Sequence, residues 1–259
     1  MMWDFFIWYV LFSIGCWLVS GYFALYKKRE TSAGIFAFLG LAVLGIFIAQ
    51  LWIFLGRPPL RTMGETRLWY AFFLAFLGIF ASCRWKYAWL MSISCLIAGV
   101  FLIVDVVNPE LHSKTLMPAL QSYWFIPHVT VYIFSYALLG VSCLCSLKLI
   151  HQFRNGSEDK ELLKFTDNIV YVGLGFLLLG LLFGAFWAKE AWGHYWAWDP
   201  KETWAFITVI GYLMYIHLRL QNTTRQIAVY ILPFAFVLLM ITWLGVSYLP
   251  TAPMSIHTY

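Results

Sequence analysis

Between Trp192 and Trp204 the chain reads Trp-Gly-His-Tyr-Trp-Ala-Trp-Asp-Pro-Lys-Glu-Thr-Trp, with four indoles, a phenol, an imidazole and two acids in one short stretch. Asp199-Pro200-Lys201-Glu202 has the form of a helix start: aspartate at the N-cap, proline first and glutamate third. The two acids are therefore expected to cap a helix and not to catalyse. The indoles of Trp192, Trp196, Trp198 and Trp204 offer broad apolar faces. A short helix would put Trp192 and Trp196, four apart, on one side. The positive end of the capped helix, with Lys201, would face an anionic edge. Such a shelf suits a large, planar, apolar ligand with a charged rim. An aromatic membrane belt is the competing reading. It accounts for scattered residues such as Trp3, Trp52, Trp69 and Trp124 better than for Trp187, Trp192, Trp196, Trp198 and Trp204 crowded together.

The six histidines are the other candidates for chemistry. His128 follows Pro127 at the start of one apolar run, and His257 lies in the tail after the last. Imidazoles from these segments on opposite faces of a porphyrin would hold its iron, which makes haem the leading ligand. His217 comes 18 residues after Asp199. That is roughly 27 Å along a helix, which puts it near the opposite membrane surface. An ionisable residue within a span is a functional candidate by default. His151 is its in-chain rival at that level. His194 reads as a rim residue, and His112, beside Pro109 and Glu110, as solvated. Arg57 and Arg61 could pair with carboxylates or anchor the interface. Asp105 is expected in a hydrated rim, and Glu65 receives no role.

These groups need elements to position them, and composition says which. The chain of 259 residues is 62% hydrophobic, 20% aromatic and only 11% charged, too apolar for a soluble core and large enough for about eight helical spans. Continuous apolar runs without alternation exclude an outer-membrane barrel. We expect an all-α polytopic membrane protein, residues 1–259 forming a single membrane domain, with spans near 5–26, 34–55, 68–83, 87–107, 129–150, 168–188, 201–218 and 227–248. Lys27, Lys28, Arg29, Arg84, Lys86, Lys148, Arg154, Lys160, Lys164, Arg219 and Arg225 outweigh the opposite set of Arg57, Arg61, Arg67, Lys114, Lys189 and Lys201. The heavier set is expected inside, which leaves both termini and the tryptophan segment outside. The 152–167 stretch reads as a polar cytoplasmic turn. A net charge of +5 follows from those loops and gives no reason for a nucleic-acid partner. Positive charge follows the first apolar run, the reverse of a cleavable signal peptide. The cysteines, at 16, 83, 95, 143 and 145, form no Cys-x-x-Cys and read as inert apolar thiols. No Cys-x-x-Cys-His is present, so haem attached covalently to this chain is not expected.

The segment from Lys189 to Thr208 resembles the tryptophan-rich "WWD" haem-handling motif of the CcsA family, also called ResC, of cytochrome c synthesis proteins. The likeness covers W-G-x-Y-W-x-W-D-P-K-E-T-W-A-F-I-T and extends over the chain from about Pro58 to Tyr259. The related CcmC and CcmF proteins differ after the Trp-Asp pair. The resemblance implies a subunit of a cytochrome c synthase that moves haem b, bound non-covalently, to the outer face. There it would present haem to the Cys-x-x-Cys-His of apocytochrome c for thioether formation. It further implies that His128 and His257 are the external iron ligands and that His217 is the ligand within the membrane. A CcsB (ResB) partner would complete the inner site and be needed for ligation, and thiol-reducing proteins would serve the substrate. Ser247 to Ile256 departs from the glycine-rich stretch usual in the family before His257. The bacterial plasma membrane or the thylakoid membrane is the expected location, with the haem site facing the periplasm or its equivalent. The rivals are a haem carrier without ligation activity, as CcmC-like proteins are, and a b-type electron-transfer cytochrome. The second is disfavoured because no predicted span holds two histidines.

Overall fold

A computed structural model describes residues 2–112, 122–221 and 225–252; His257 lies outside them. The described residues form helices joined by short turns, with no strand among them. Eight helices are long and apolar enough to cross a membrane. Their α-helical parts are α1 (Phe6–Leu25), α2 (Glu30–Leu55), α3 (Met63–Trp85), α4 (Ala88–Val107), α5 (Phe125–Arg154), α6 (Lys160–Trp192), α7 (Pro200–Leu220) and α8 (Arg225–Met240), the first span starting at Met2 and the last running on to Tyr248. The expected number and order hold. The main departure is the length of α5 and α6, with 30 and 33 residues. At 1.5 Å per residue, α6 measures about 50 Å and outruns a hydrocarbon core of about 30 Å. The polar turn expected over 152–167 is therefore much shorter. Helix α5 runs to Arg154, and Asp159 caps α6 by accepting from Leu162 N at 2.9 Å.

The chain forms two compact units, Met1–Leu116 with α1–α4 and Met117–Tyr259 with α5–α8. In the first, α2 lays Ala33, Ala37, Leu41, Leu44, Ile48 and Leu51 into the core at helical spacing. Polar side chains tie α1 to α2 through backbone carbonyls: Ser13 to Gly40 O (3.0 Å), Trp17 Nε1 to Ala37 O (3.2 Å) and Ser20 to Ala33 O (2.7 Å). Lipid gives helices little hydrophobic reason to associate, so close approach and such bonds hold them together. Gly40 is needed for that approach, since a Cβ there would sit 2.6 Å from Trp17 Nε1.

In the second unit, α5 and α6 pack along a line of α6 glycines. A Cβ at Gly173 would meet Leu139 at 2.7 Å, one at Gly180 would meet Tyr132 at 2.5 Å, and one at Gly184 would meet His128 at 2.8 Å. Ser135 donates to Gly173 O at 2.8 Å along the same seam. Helix α8 contains Pro233 and continues into one π turn, Ile241–Gly245. Thr242 in that turn bonds Thr208 of α7 across 3.0 Å.

Candidate functional site

The tryptophan segment is not one helix. Helix α6 stops at Trp192 because Gly193 takes φ +86, a left-handed cap whose N–H returns to Lys189 O at 3.1 Å. Trp192 and Trp196 therefore do not share a helical face. Trp192 instead packs on the buried Trp187, with ring centroids 5.0 Å apart, and Trp187 meets Phe125 at 5.3 Å. Beyond the cap, Trp196 and Trp198 stand edge to face at 5.7 Å and 86°, and Trp198 meets Phe206 in the same way at 5.8 Å. The indoles form a corner of perpendicular rings and not a flat shelf. Trp196 Nε1 is buried without a hydrogen-bond partner among the described residues, whereas Trp198 is 63% exposed. Trp204 lies in the second turn of α7, and its carbonyl accepts from Thr208 at 2.9 Å.

The capping box forms as expected. Asp199 Oδ1 accepts from Lys201 N at 2.8 Å and Glu202 N at 3.2 Å, and Glu202 Oε2 accepts from Asp199 N at 3.3 Å. Those amides are thus committed to Asp199. An anionic ligand edge arriving there would meet side chains, with the first amides already taken. Glu202 Oε2 also accepts from Ala197 N at 2.8 Å. Trp198, between these bonded residues, has φ +56. For an aromatic residue that conformation costs on the order of 1 kcal/mol and persists where surrounding contacts dictate it.

His128, at the start of α5, lies in the groove that Gly180 and Gly184 open on α6. Its Nδ1 is 2.8 Å from Gly180 O. A carbonyl only accepts, so Nδ1 carries the proton and the lone pair lies on Nε2, the form that ligates iron. The ring tilts on Trp187 at 5.4 Å and meets Tyr132 edge-on at 4.6 Å. His128, Trp187 and Trp192 are thus joined ring to ring.

His217 is exposed near the far end of α7, on a face with Ile210, Leu213, Met214 and Leu220. Its Nδ1 is 2.8 Å from Leu213 O, so the same argument leaves its lone pair on Nε2. The other side of α7 is anchored: Arg219 makes two bonds to Asp167 of α6, at 2.7 and 2.6 Å, and Tyr215 donates to Asp167 at 2.6 Å. Asp167 belonged to the stretch read as a turn, and it proves to be a structural partner of α7. His151 is exposed and its Nε2 is 3.1 Å from Asn155 Nδ2, an amide donor that occupies the lone pair. His194 is exposed.

The unit Met1–Leu116 overturns two expectations. Asp105 is not in a hydrated rim; its side chain is fully buried, with Arg67 Nη1 3.7 Å from Oδ1. His112 is not solvated. It stacks on Trp3 at 3.8 Å and 11° and fills the space over Gly64, where a Cβ would come 2.7 Å from its Cδ2. Burial pushes its pKa below the ordinary 6.5, against the opposing pull of the Asp105 backbone, Glu110 and Glu65. The short 3-10 turn Pro109–Leu111 follows α4, contacts α3 and α4 and leads into His112. Glu65, 1% exposed, accepts from Arg57 at 2.8 and 3.0 Å and from Arg61 N at 2.6 Å, and completes a capping box with Thr62. Arg57 is thereby committed within its own unit.

Gly180 and Gly184, which border His128, carry no role in the reading from sequence. The Gly180-Leu-Leu-Phe-Gly184 spacing was a usable signal, since small residues one turn apart admit a bulky neighbour.

Residues 7–252 match the family described as cytochrome C assembly protein. The cytochrome c biogenesis protein CcsA of Chlorella vulgaris is 32% identical over 279 residues, covering 86% of each chain. That of Mesostigma viride is 30% identical and covers 93% of this chain and 91% of its own. The Prochlorococcus marinus protein is 29% identical, with 93% and 89% covered. An eight-helix membrane chain matched along this much of its length belongs to the cytochrome c assembly protein family and is similar to CcsA.

Proposed function

We propose that this chain handles haem in cytochrome c maturation, receiving it within the membrane and presenting it at the outer face to apocytochrome c. The observation that carries the reading is His128. Its Nδ1 proton is given to Gly180 O, its ring rests in a glycine-lined groove, and tryptophans adjoin it. That arrangement prepares a neutral imidazole with Nε2 as the ligating atom. His257 is the proposed second ligand at that level, with Trp192, Trp196, Trp198 and Trp204 as the aromatic surroundings and Asp199 as the cap that builds the α7 start.

His217 is the proposed ligand at the inner level. An imidazole on an exposed apolar face of a membrane helix is costly against lipid. A partner helix of the CcsB type is therefore the proposed cover and the source of the second ligand. Haem supplies the vinyl groups. Each thioether forms when a substrate S–H adds across a vinyl C=C, the sulfur to one carbon and the proton to the other. No electron leaves or enters, so the substrate thiols must arrive reduced, which is the task proposed for thiol-reducing proteins. No side chain of this protein joins the bond change. Its contribution is to hold and orient, which can lower a barrier by several kcal/mol. The proposed location is a bacterial plasma membrane or a thylakoid membrane.

Co-expression with a CcsB-type partner and an apocytochrome c tests this. Haem that stays on the apocytochrome through denaturing electrophoresis is the expected result. Haem in the membrane complex without covalent product would leave a carrier, and a complex without haem would end the proposal.

A further inference from the structure

The backbone of Trp198 is held in a conformation that a tryptophan does not choose. Among the described residues, Lys28, Lys86 and Trp198 are the non-glycine positions with positive φ. Lys86 is the C-cap of α3, where a left-handed residue is ordinary. Trp198 ends no helix. It lies between Ala197 and Asp199, and the amides of both donate to a single acceptor, Glu202 Oε2, at 2.8 and 3.3 Å. Its own carbonyl accepts from Thr203 Oγ1 at 3.2 Å. Bonds thus fasten the chain before, at and after this residue, and all come from the first turn of α7. A capping box alone needs only the Asp199 amide bond and the reciprocal Asp199 acceptance. The bonds from Ala197 N and to Trp198 O are additional, and they act on Trp198. A glycine would take this conformation without strain, but it would carry no ring. The ring that the strain displays is 63% exposed and stands edge-on to Trp196 and Phe206.

We propose that Glu202 and Thr203 are positioning residues that act through Trp198, clamping its backbone in the left-handed conformation so that its indole is fixed toward bound haem. This rests on the haem reading of the same segment. Glu202 on this account is neither a ligand nor a proton carrier; it serves as a two-pronged acceptor. A neutral amide oxygen can therefore replace it, whereas a side chain without an acceptor cannot.

The full chain, in complex with its partner, is purified as wild type and as Glu202→Gln, Glu202→Ala, Thr203→Ser, Thr203→Val and Trp198→Gly. Two readouts are taken: amide exchange at Ala197 and Asp199, and circular dichroism of the haem Soret band, which reports the handed arrangement of nearby aromatic rings. Glu202→Ala is expected to speed exchange about tenfold, the equivalent of one hydrogen bond, and to flatten the dichroic band. Glu202→Gln and Thr203→Ser should resemble wild type. Thr203→Val, which leaves the Asp199–Glu202 cap intact, should weaken the dichroic band without lowering the thermal midpoint. Trp198→Gly should raise the midpoint while losing the band. Unchanged dichroism in both Thr203→Val and Glu202→Ala would overturn the proposal, as would a lower midpoint for Trp198→Gly. A colourless wild type whose Ala197 and Asp199 amides exchange slowly would sink the haem reading and show the clamp to serve something else.

Discussion

In the unit Met1–Leu116, polar side chains close upon one another. Glu65 spends its carboxylate on Arg57, Arg61 N and its own helix cap, Asp105 lies buried beside Arg67, and His112 is stacked on Trp3. In Met117–Tyr259, His128 and His217 each fix one nitrogen on a backbone carbonyl and leave the other as the basic one, while Trp198 is displayed at the cost of backbone strain. Both units belong to the same kind of helical membrane architecture, held by serines, threonines and glycines at close helix approaches. The difference lies in what surrounds the polar and aromatic side chains. In the first unit they meet one another and read as scaffold, and the second is the one whose imidazoles and indoles are proposed to meet a ligand.

The sharpest way to break this contrast is at Gly184. An alanine there would place Cβ 2.8 Å from His128 Cε1 and 2.9 Å from Nδ1, so the imidazole must leave its seat. Overpacking of this kind costs about 1–3 kcal/mol. Here it should fall on haem retention, with Gly184→Ala losing most of the outer-site Soret absorbance. Gly175→Ala on the same helix, where nothing lies within 4 Å, should keep it.

Next in size is the tie at the far end of α7. Asp167→Ala strands Arg219 and the Tyr215 hydroxyl, and breaking one half of a largely buried pair should lower stability by about 3 kcal/mol. Chemical denaturation in detergent would measure this. A change near zero would mean that α7 is held by its apolar contacts alone.

Glu65→Gln probes the unit whose polar side chains meet one another. Loss of a charged acceptor for Arg57 and Arg61 N should cost about 2 kcal/mol and leave the haem spectrum as it was. A shifted Soret band in this variant would erase the distinction between the units.

The smallest effect concerns His112. Its pKa in the fold lies below the ordinary 6.5, so the unfolded chain binds its proton first as pH drops. The stability this residue contributes is present above pH 6.5 and declines as pH falls through that value toward the lower folded one. The thermal midpoint should fall more below pH 6.5 in wild type than in His112→Gln. Equal slopes would show that the ring is not held neutral.

Much of this was legible in sequence because its signals are local. Hydrophobic runs mark the eight spans, and Asp199-Pro200-Lys201-Glu202 contains the whole of its helix start. The ends of α5 and α6 were harder, because polar residues such as Asp159 and Asp167 resemble a loop until a cap or an ion pair absorbs them. Asp105 and His112 suggest solvation by residue type, and their burial depends on Arg67 and Trp3, neighbours distant in sequence that no local pattern reveals. Trp192 and Trp196 were placed four apart on a helix that Gly193 in fact ends. The spacing of Gly180 and Gly184 signals a close neighbour, but which ring fills the space at Gly184 is seen only in the fold.

His128 is proposed to ligate haem iron through Nε2, and the direct measurement is the absorption spectrum of the purified complex carrying His128→Ala, before and after added imidazole. Loss of the six-coordinate low-spin spectrum, with recovery on addition of imidazole, is the predicted result. A spectrum identical to wild type before imidazole is added would contradict it.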